Sequence, residues 1–173
     1  MTDWQLPGAH KDAQTVTSDW QLSQDHLIDG VIVHEAKNVI GRAGMLTELW
    51  RSDWGIDRLG IEQVFQNLLV PGAVSAWHAH AHGTDRLTVT AGQLKIVLYD
   101  CRASGPSHGT VNEFHISAMR PTLLIVPPMI WHGVKNSSGE PATLLNLTDR
   151  AYTYEDPDHW RLPADTDQIP HQF

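Results

Sequence analysis

Three observations predict an all-β fold. The chain breaks into short runs rich in Val, Ile, Leu, Thr and Phe, these runs are separated by clusters of Gly, Pro, Asn and Ser, and no stretch sustains the i, i+3, i+4, i+7 spacing of an amphipathic helix. Many short strands at regular spacing point to a sandwich or small barrel. With 173 residues, 41% of them hydrophobic and 18% charged, the chain can bury one core and gives no reason to divide into two. Residues 1–25 are polar and aperiodic and are expected to form a surface arm, leaving residues 26–173 as a single barrel domain.

The elements follow in order. "LIDGVIVHEAKNVI", "MLTELW" and "IEQVFQNLLV" supply the first strands, and "TVTAGQLKIVLYD" reads as a tight hairpin around Ala91-Gly92, where Gly92 is free to take a positive φ. "DCRASGPSHGT" is a long turn-rich connection to the strand "TVNEFHIS". "TLLIVP" and "ATLLNLT" flank "VPPMIWHGVKNSSGEPA", a short strand between two turns. The ending "YTYEDPDHWRLPADTDQIPHQF", with Glu155, Asp156, Asp158 and Asp165 among its prolines, is expected to wrap the outside or to cover one barrel mouth.

Charge and composition exclude some partners. A formal net charge of −8 repels polyphosphate, which argues against nucleic acid and an anionic membrane surface and leaves a small-molecule substrate. The start "MTDWQLPGAHKDAQ" has neither a basic nor an apolar signal region, and no run reaches the roughly 18 apolar residues that span a bilayer, so a cytoplasmic protein is expected. Cys101 is the single cysteine, which fits a reducing compartment and reads as a small buried hydrophobe.

The chemistry concentrates in "GAVSAWHAHAHGTDRLTVTAG", from Gly72 to Gly92. In an extended strand residues i, i+2 and i+4 share a face, so His78, His80 and His82 point one way and Ala79 and Ala81 the other. Asp85 follows where the chain turns into the next strand. Imidazole and carboxylate together suit Mn, Fe, Ni, Zn or Cu. His82 is expected at the rim, and His34, His108, His115, His159 and His171 at the surface.

The spacing from Gly72, five residues to His78, one to His80, four to Asp85 and six to Gly92, resembles the first signature of the cupin superfamily, with Asp in place of the more frequent Glu. "PPMIWHGVKN" resembles the second, through Pro127, His132 and Asn136, but has Met129 at the turn glycine and Pro121 where a glycine opens the motif. The resemblance implies a cupin-type double-stranded β-helix, or jelly-roll, barrel with few short helices. Its metal-binding members imply His78, His80, Asp85 and His132 as the ligands of a divalent metal (Mn, Fe, Ni or Zn), with no organic cofactor. Trp77 and Trp131, each just before a proposed ligand, are expected as core or pocket wall, and Arg86 as a rim residue able to pair with an anionic substrate.

From about residue 41 to 173 the chain also resembles the dTDP-4-dehydrorhamnose 3,5-epimerase family, through "GRAGMLTELWRSD", "VFQNLLVPGAVSAWH", "GQLKIVLYDCR", "VPPMIWHGVKN" and "YTYEDPDHWRLP". That family is metal-free. A histidine held by an aspartate removes the proton beside a keto group and a tyrosine returns one on the other face. His78 matches the base, but the tyrosine position offers Leu145 or Asn146, the aspartate falls on Leu162, the pocket lysine on Asp85 and the arginine on Ser75. An acid in place of the lysine removes the charge that would stabilise an enolate and supplies a metal ligand instead.

The leading expectation is therefore an epimerase-like cupin, an isomerase, acting on a carbonyl sugar, with or without a nucleotide, or on a similar small polar molecule. His78 is its catalytic residue, a metal assists, and Trp77, Arg86, Trp131 and Asn146 border the substrate. A metal-dependent oxygenase or hydrolase and a non-catalytic sugar- or acid-binding cupin are the alternatives. The resemblance further implies a homodimer paired through N-terminal strands.

Overall fold

The computed structural model describes residues 4–20 and 26–173. Residues 1–3 and 21–25 of the expected arm lie outside the described residues. The strands are β1 (Ile32–Glu35), β2 (Asn38–Gly41), β3 (Gly44–Thr47), β4 (Gln63–Leu69), β5 (Val74–Ala79), β6 (Asp85–Ala91), β7 (Gln93–Asp100), β8 (Val111–Ser117), β9 (Thr122–Val126), β10 (Ile130–Lys135), β11 (Ala142–Thr148) and β12 (Trp160–Arg161). A 3₁₀ turn at Ser52–Trp54 is the one helical segment among the described residues, so no helix there is long and apolar enough to cross a membrane.

Two five-stranded sheets face each other, in the orders β1-β9-β6-β11-β4 and β12-β5-β10-β7-β8, and β2 and β3 form a separate two-stranded ribbon. All pairs are antiparallel. This is the jelly-roll architecture that the resemblance to the cupins implies, within the sandwich-or-barrel class that the short strands predict.

The expected hairpin at Ala91-Gly92 does not form. β6 pairs with β9 and β11 in one sheet and β7 with β8 and β10 in the other, so this turn is a corner that carries the chain between sheets. Gly92 has φ 69°, and a Cβ there would lie 2.7 Å from Ala142 Cβ and 2.9 Å from the Pro141 carbonyl. Only glycine fits both the left-handed backbone and the close approach.

Strand parity explains the layers. Leu87 and Val89 of β6, Leu94, Ile96 and Leu98 of β7, Leu124 and Val126 of β9 and Ile130 and Val134 of β10 fill the space between the sheets. Residues of opposite parity face outward under separate covers. Trp77, Val97, Tyr99 and Trp131 lie beneath the C-terminal segment, with Leu162, Ile169 and Phe173. Leu123, Ile125, Leu145 and Leu147 lie beneath the segment carrying Trp50, Ile56 and Ile61. Phe173 presses on Gly133 of β10 closely enough that a Cβ there would stand 2.7 Å from its ring.

Candidate functional site

One end of the inter-sheet space is polar where the other is apolar. It opens into a cavity of about 720 Å³ bordered by His78, His80, Asp85, His132, Asn146 and His159. β10 and β5 are paired so that His132 stands opposite His78, and their ring centroids are 4.1 Å apart. His80 follows the end of β5, and Asp85 opens β6 on the same inward parity as Leu87.

Three side chains converge. His80 Nε2 lies 3.3 Å and His132 Nε2 3.0 Å from the same atom, Oδ2 of Asp85. The other ring nitrogens are committed: His132 Nδ1 donates to the Ile130 carbonyl at 3.0 Å and His80 Nδ1 to the Asp158 carbonyl at 2.5 Å. A carbonyl only accepts, so each ring carries its proton on Nδ1 and turns the Nε2 lone pair toward a carboxylate. Acceptors facing one another are stable only with a positive charge between them, a shared proton or a cation.

The second oxygen of Asp85 is held as well. Asn146 Nδ2 donates to Oδ1 at 2.7 Å, while Asn146 Oδ1 accepts from the Arg86 N–H at 3.1 Å. Asn146 thus orients the carboxylate from the neighbouring strand.

Electrostatics follow from this packing. Burial works against the Asp85 carboxylate, but contact with His132 and His80 outweighs it and holds the acid well below the usual carboxylate range. Burial also works against the His80 imidazolium, and there Asp85 and the Asp158 carbonyl outweigh it, so His80 is raised. His78 goes the other way: burial, then the neighbouring His132, lower it to about 2, and it is a neutral imidazole. Its Nδ1 is buried with no hydrogen-bond partner among the described residues.

Of the four expected ligands, His80, Asp85 and His132 have ligand atoms within 4.8 Å of one another, and His78 is outside this group. A set of imidazole and carboxylate donors with fixed tautomers and an oriented carboxylate suits a divalent transition metal.

Three expected pocket residues lie elsewhere, for one reason. Trp77, Arg86 and Trp131 are each one residue from an inward-facing group and therefore face outward. Trp77 is fully buried and Trp131 half-buried beneath the C-terminal segment. Arg86 is not at the rim but fully buried, donating to Asp57 at 2.7 and 2.9 Å and to the Leu147 and Leu59 carbonyls, with its guanidinium 4.9 Å from the Trp50 ring centroid. Cys101 is exposed rather than buried.

His159 was expected at the surface and instead borders the cavity, its ring 4.9 Å from His80 and 5.2 Å from His78. Burial, then His80 and Arg161, lower it to about 4. His34 and His171 are also partly covered, against Trp54 and against Trp77 with Phe173. His82 is exposed, as expected. The C-terminal segment that brings His159 also lines the cavity with Tyr152, Trp160, Arg161 and Arg150, so the site has two arginines that the motif positions do not reveal. The turn before β10 keeps its left-handed backbone without its glycine: Met129 has φ 66° and its N–H donates to the His80 carbonyl at 2.7 Å.

No family model matches the chain. It is 33% identical over 139 residues, 80% of this chain and 89% of the relative, to the "Probable low-salt glycan biosynthesis epimerase Agl13" of Haloferax volcanii. It is 28% identical over 144 residues, 83% of this chain and 94% of the relative, to the spore coat polysaccharide biosynthesis protein SpsL of Bacillus subtilis. Among solved structures it is similar to a dTDP sugar isomerase from Desulfovibrio desulfuricans G20, with a TM-score of 0.78 and 25% identity over 84% of this chain and 91% of that one. With its jelly-roll barrel and these relatives, the chain belongs to the cupin-fold family of sugar epimerases related to dTDP-4-dehydrorhamnose 3,5-epimerase, a class of isomerases.

Proposed function

We propose that the chain epimerises a keto sugar, carried on a nucleotide, inside this cavity with the help of a divalent metal held by His80, Asp85 and His132. The observation that carries the reading is the convergence of those three groups beside the neutral His78 and His159 in one cavity. A bound cation supplies polarisation of a carbonyl oxygen. His78, unprotonated, accepts the proton from the carbon beside that carbonyl. A base of such low proton affinity needs an acidified carbon, which a bound cation would supply in place of the family's missing lysine; the proton that the family's tyrosine returns on the other face would come here from solvent in the open cavity. Arg150 and Arg161 offer charge to a sugar-linked phosphate.

The test is solvent exchange followed by NMR. Incubation with a nucleotide-linked keto sugar in deuterated water is expected to place deuterium beside the keto group, with stoichiometric metal by elemental analysis and loss of both in His132→Ala. Full activity after chelation sinks the metal role, and absence of exchange with metal-loaded protein sinks the epimerase reading. A two-histidine, one-carboxylate set also serves iron-dependent oxygenases. Oxygen uptake by iron-loaded protein is the result that would favour that second reading.

The same proposal includes a cytoplasmic homodimer. Its support is a free exposed Cys101 and exposed apolar side chains, Val39, Ile40, Met45 and Leu46 on the β2–β3 ribbon and Val64 and Leu68 on the edge strand β4. Light scattering of the purified protein checks the dimer.

A further inference from the structure

β5 ends at Ala79, and the residues that follow carry the His80 ring outside any strand, with the His80 carbonyl accepting from the Met129 N–H. Three successive backbone N–H groups there, those of Ala81, His82 and Gly83, donate to one carboxylate. Ala81 reaches Oδ1 of Asp158 at 2.7 Å, and His82 and Gly83 reach Oδ2 at 2.8 and 3.1 Å. Three donors on one acid make a rigid clasp between the barrel and a segment 75 to 77 residues further along the chain.

The clasp also fixes the main chain of Asp158, whose carbonyl accepts the Nδ1 proton of His80. His132 needs no such help, because its acceptor, the Ile130 carbonyl, lies two residues away in its own strand. We infer that Asp158 is the positioning residue of His80: its side chain shapes the 81–83 loop, its carbonyl selects the ring tautomer, and both acts turn Nε2 toward Asp85. The same anchor delivers His159, the next residue, beside His78 and His80.

The catalytic consequence rests on the proposed role of His80, but the positioning itself is read without substrate or metal. Full-length metal-free protein labelled with ¹⁵N-histidine is compared with Asp158→Ala at alkaline pH, where the imidazoles are neutral. In the parent protein both His80 and His132 are expected as Nδ1–H tautomers. In Asp158→Ala, His80 is expected to move to the Nε2–H form that unconstrained imidazole favours, while His132 is unchanged, and zinc affinity is expected to fall about 10- to 100-fold. Asp158→Asn keeps one acceptor oxygen for the loop and is expected to restore the Nδ1–H form of His80. An unchanged His80 tautomer in Asp158→Ala overturns the inference. So does loss of the His132 tautomer together with that of His80, or failure of Asp158→Asn to restore it, because Asp158 would then hold the fold rather than one ring. Inactivity of the parent protein toward keto sugars bears on the proposed reaction and not on these spectra.

Discussion

Nε2 of His132 stands 3.0 Å from Oδ2 of Asp85 with its Nδ1 proton already given to the Ile130 carbonyl. The ring and the acid therefore need a positive charge between them. Asp85→Asn keeps the shape and removes the negative charge, so divalent metal affinity, measured by competition titration, is expected to fall by more than about 100-fold, the upper end for loss of a mere supporting partner.

His78 is predicted to act on the proton and not on binding. Burial and His132 keep it neutral, and it is outside the three-residue ligand group. His78→Ala is expected to lower kcat by about 10²- to 10⁴-fold with little change in KM. Metal content should persist; its loss would make His78 a ligand instead.

Arg86 is predicted to matter for stability and not for substrate. Its guanidinium is fully buried against Asp57 and Trp50. Arg86→Ala leaves Asp57 and two carbonyls without their donor, and thermal or denaturant unfolding is expected to show a loss of about 3–5 kcal/mol. Pairing Arg86→Met with Asp57→Leu is expected to recover most of it, and KM of the folded enzyme is expected to stay put.

Asp100 gives an acid limit. Its fully buried carboxylate is brought to about 2 by Arg102, helped by Ser107 against the cost of burial. A group whose folded pKa is depressed contributes stability above its ordinary pKa and loses it as pH falls through the folded value. About 2 kcal/mol should therefore disappear between about pH 4 and pH 2. Asp100→Asn is expected to be less stable than the parent at neutral pH and to lose the dependence in that window; a parallel decline in both proteins would refute the assignment.

Much of the barrel and of the site could be read from sequence because a strand repeats every two residues. The alternating histidines put His78, His80 and His82 on one face, of which His78 and His80 reach the cavity and His82, past the end of β5, is exposed, and the second motif brought His132 opposite His78. The same rule, applied one residue further, would have sent Trp77, Arg86 and Trp131 to the outer faces, where they are. Asp158 and His159 were not legible. They sit in a segment with almost no regular structure, and their contacts with residues 78 to 83 arise from docking across the barrel rather than from any local period. Likewise the turn at Gly92 signals its φ but not whether it closes a hairpin or a corner, which depends on which strands the neighbours pair with.

Residues 150–161 furnish much of the cavity wall, while His80, Asp85 and His132 come from the loop after β5, from β6 and from β10. On the proposed reading, reactivity and substrate choice lie on separate stretches of the chain that touch at Asp158. Exchanging residues 150–157 between relatives would alter the part of the cavity wall that carries Arg150 and Tyr152 while leaving His80, Asp85 and His132 in place. A crossover that also replaced Asp158 by a residue without an acceptor side chain would, on the inference above, misplace the His80 ring in the chimaera.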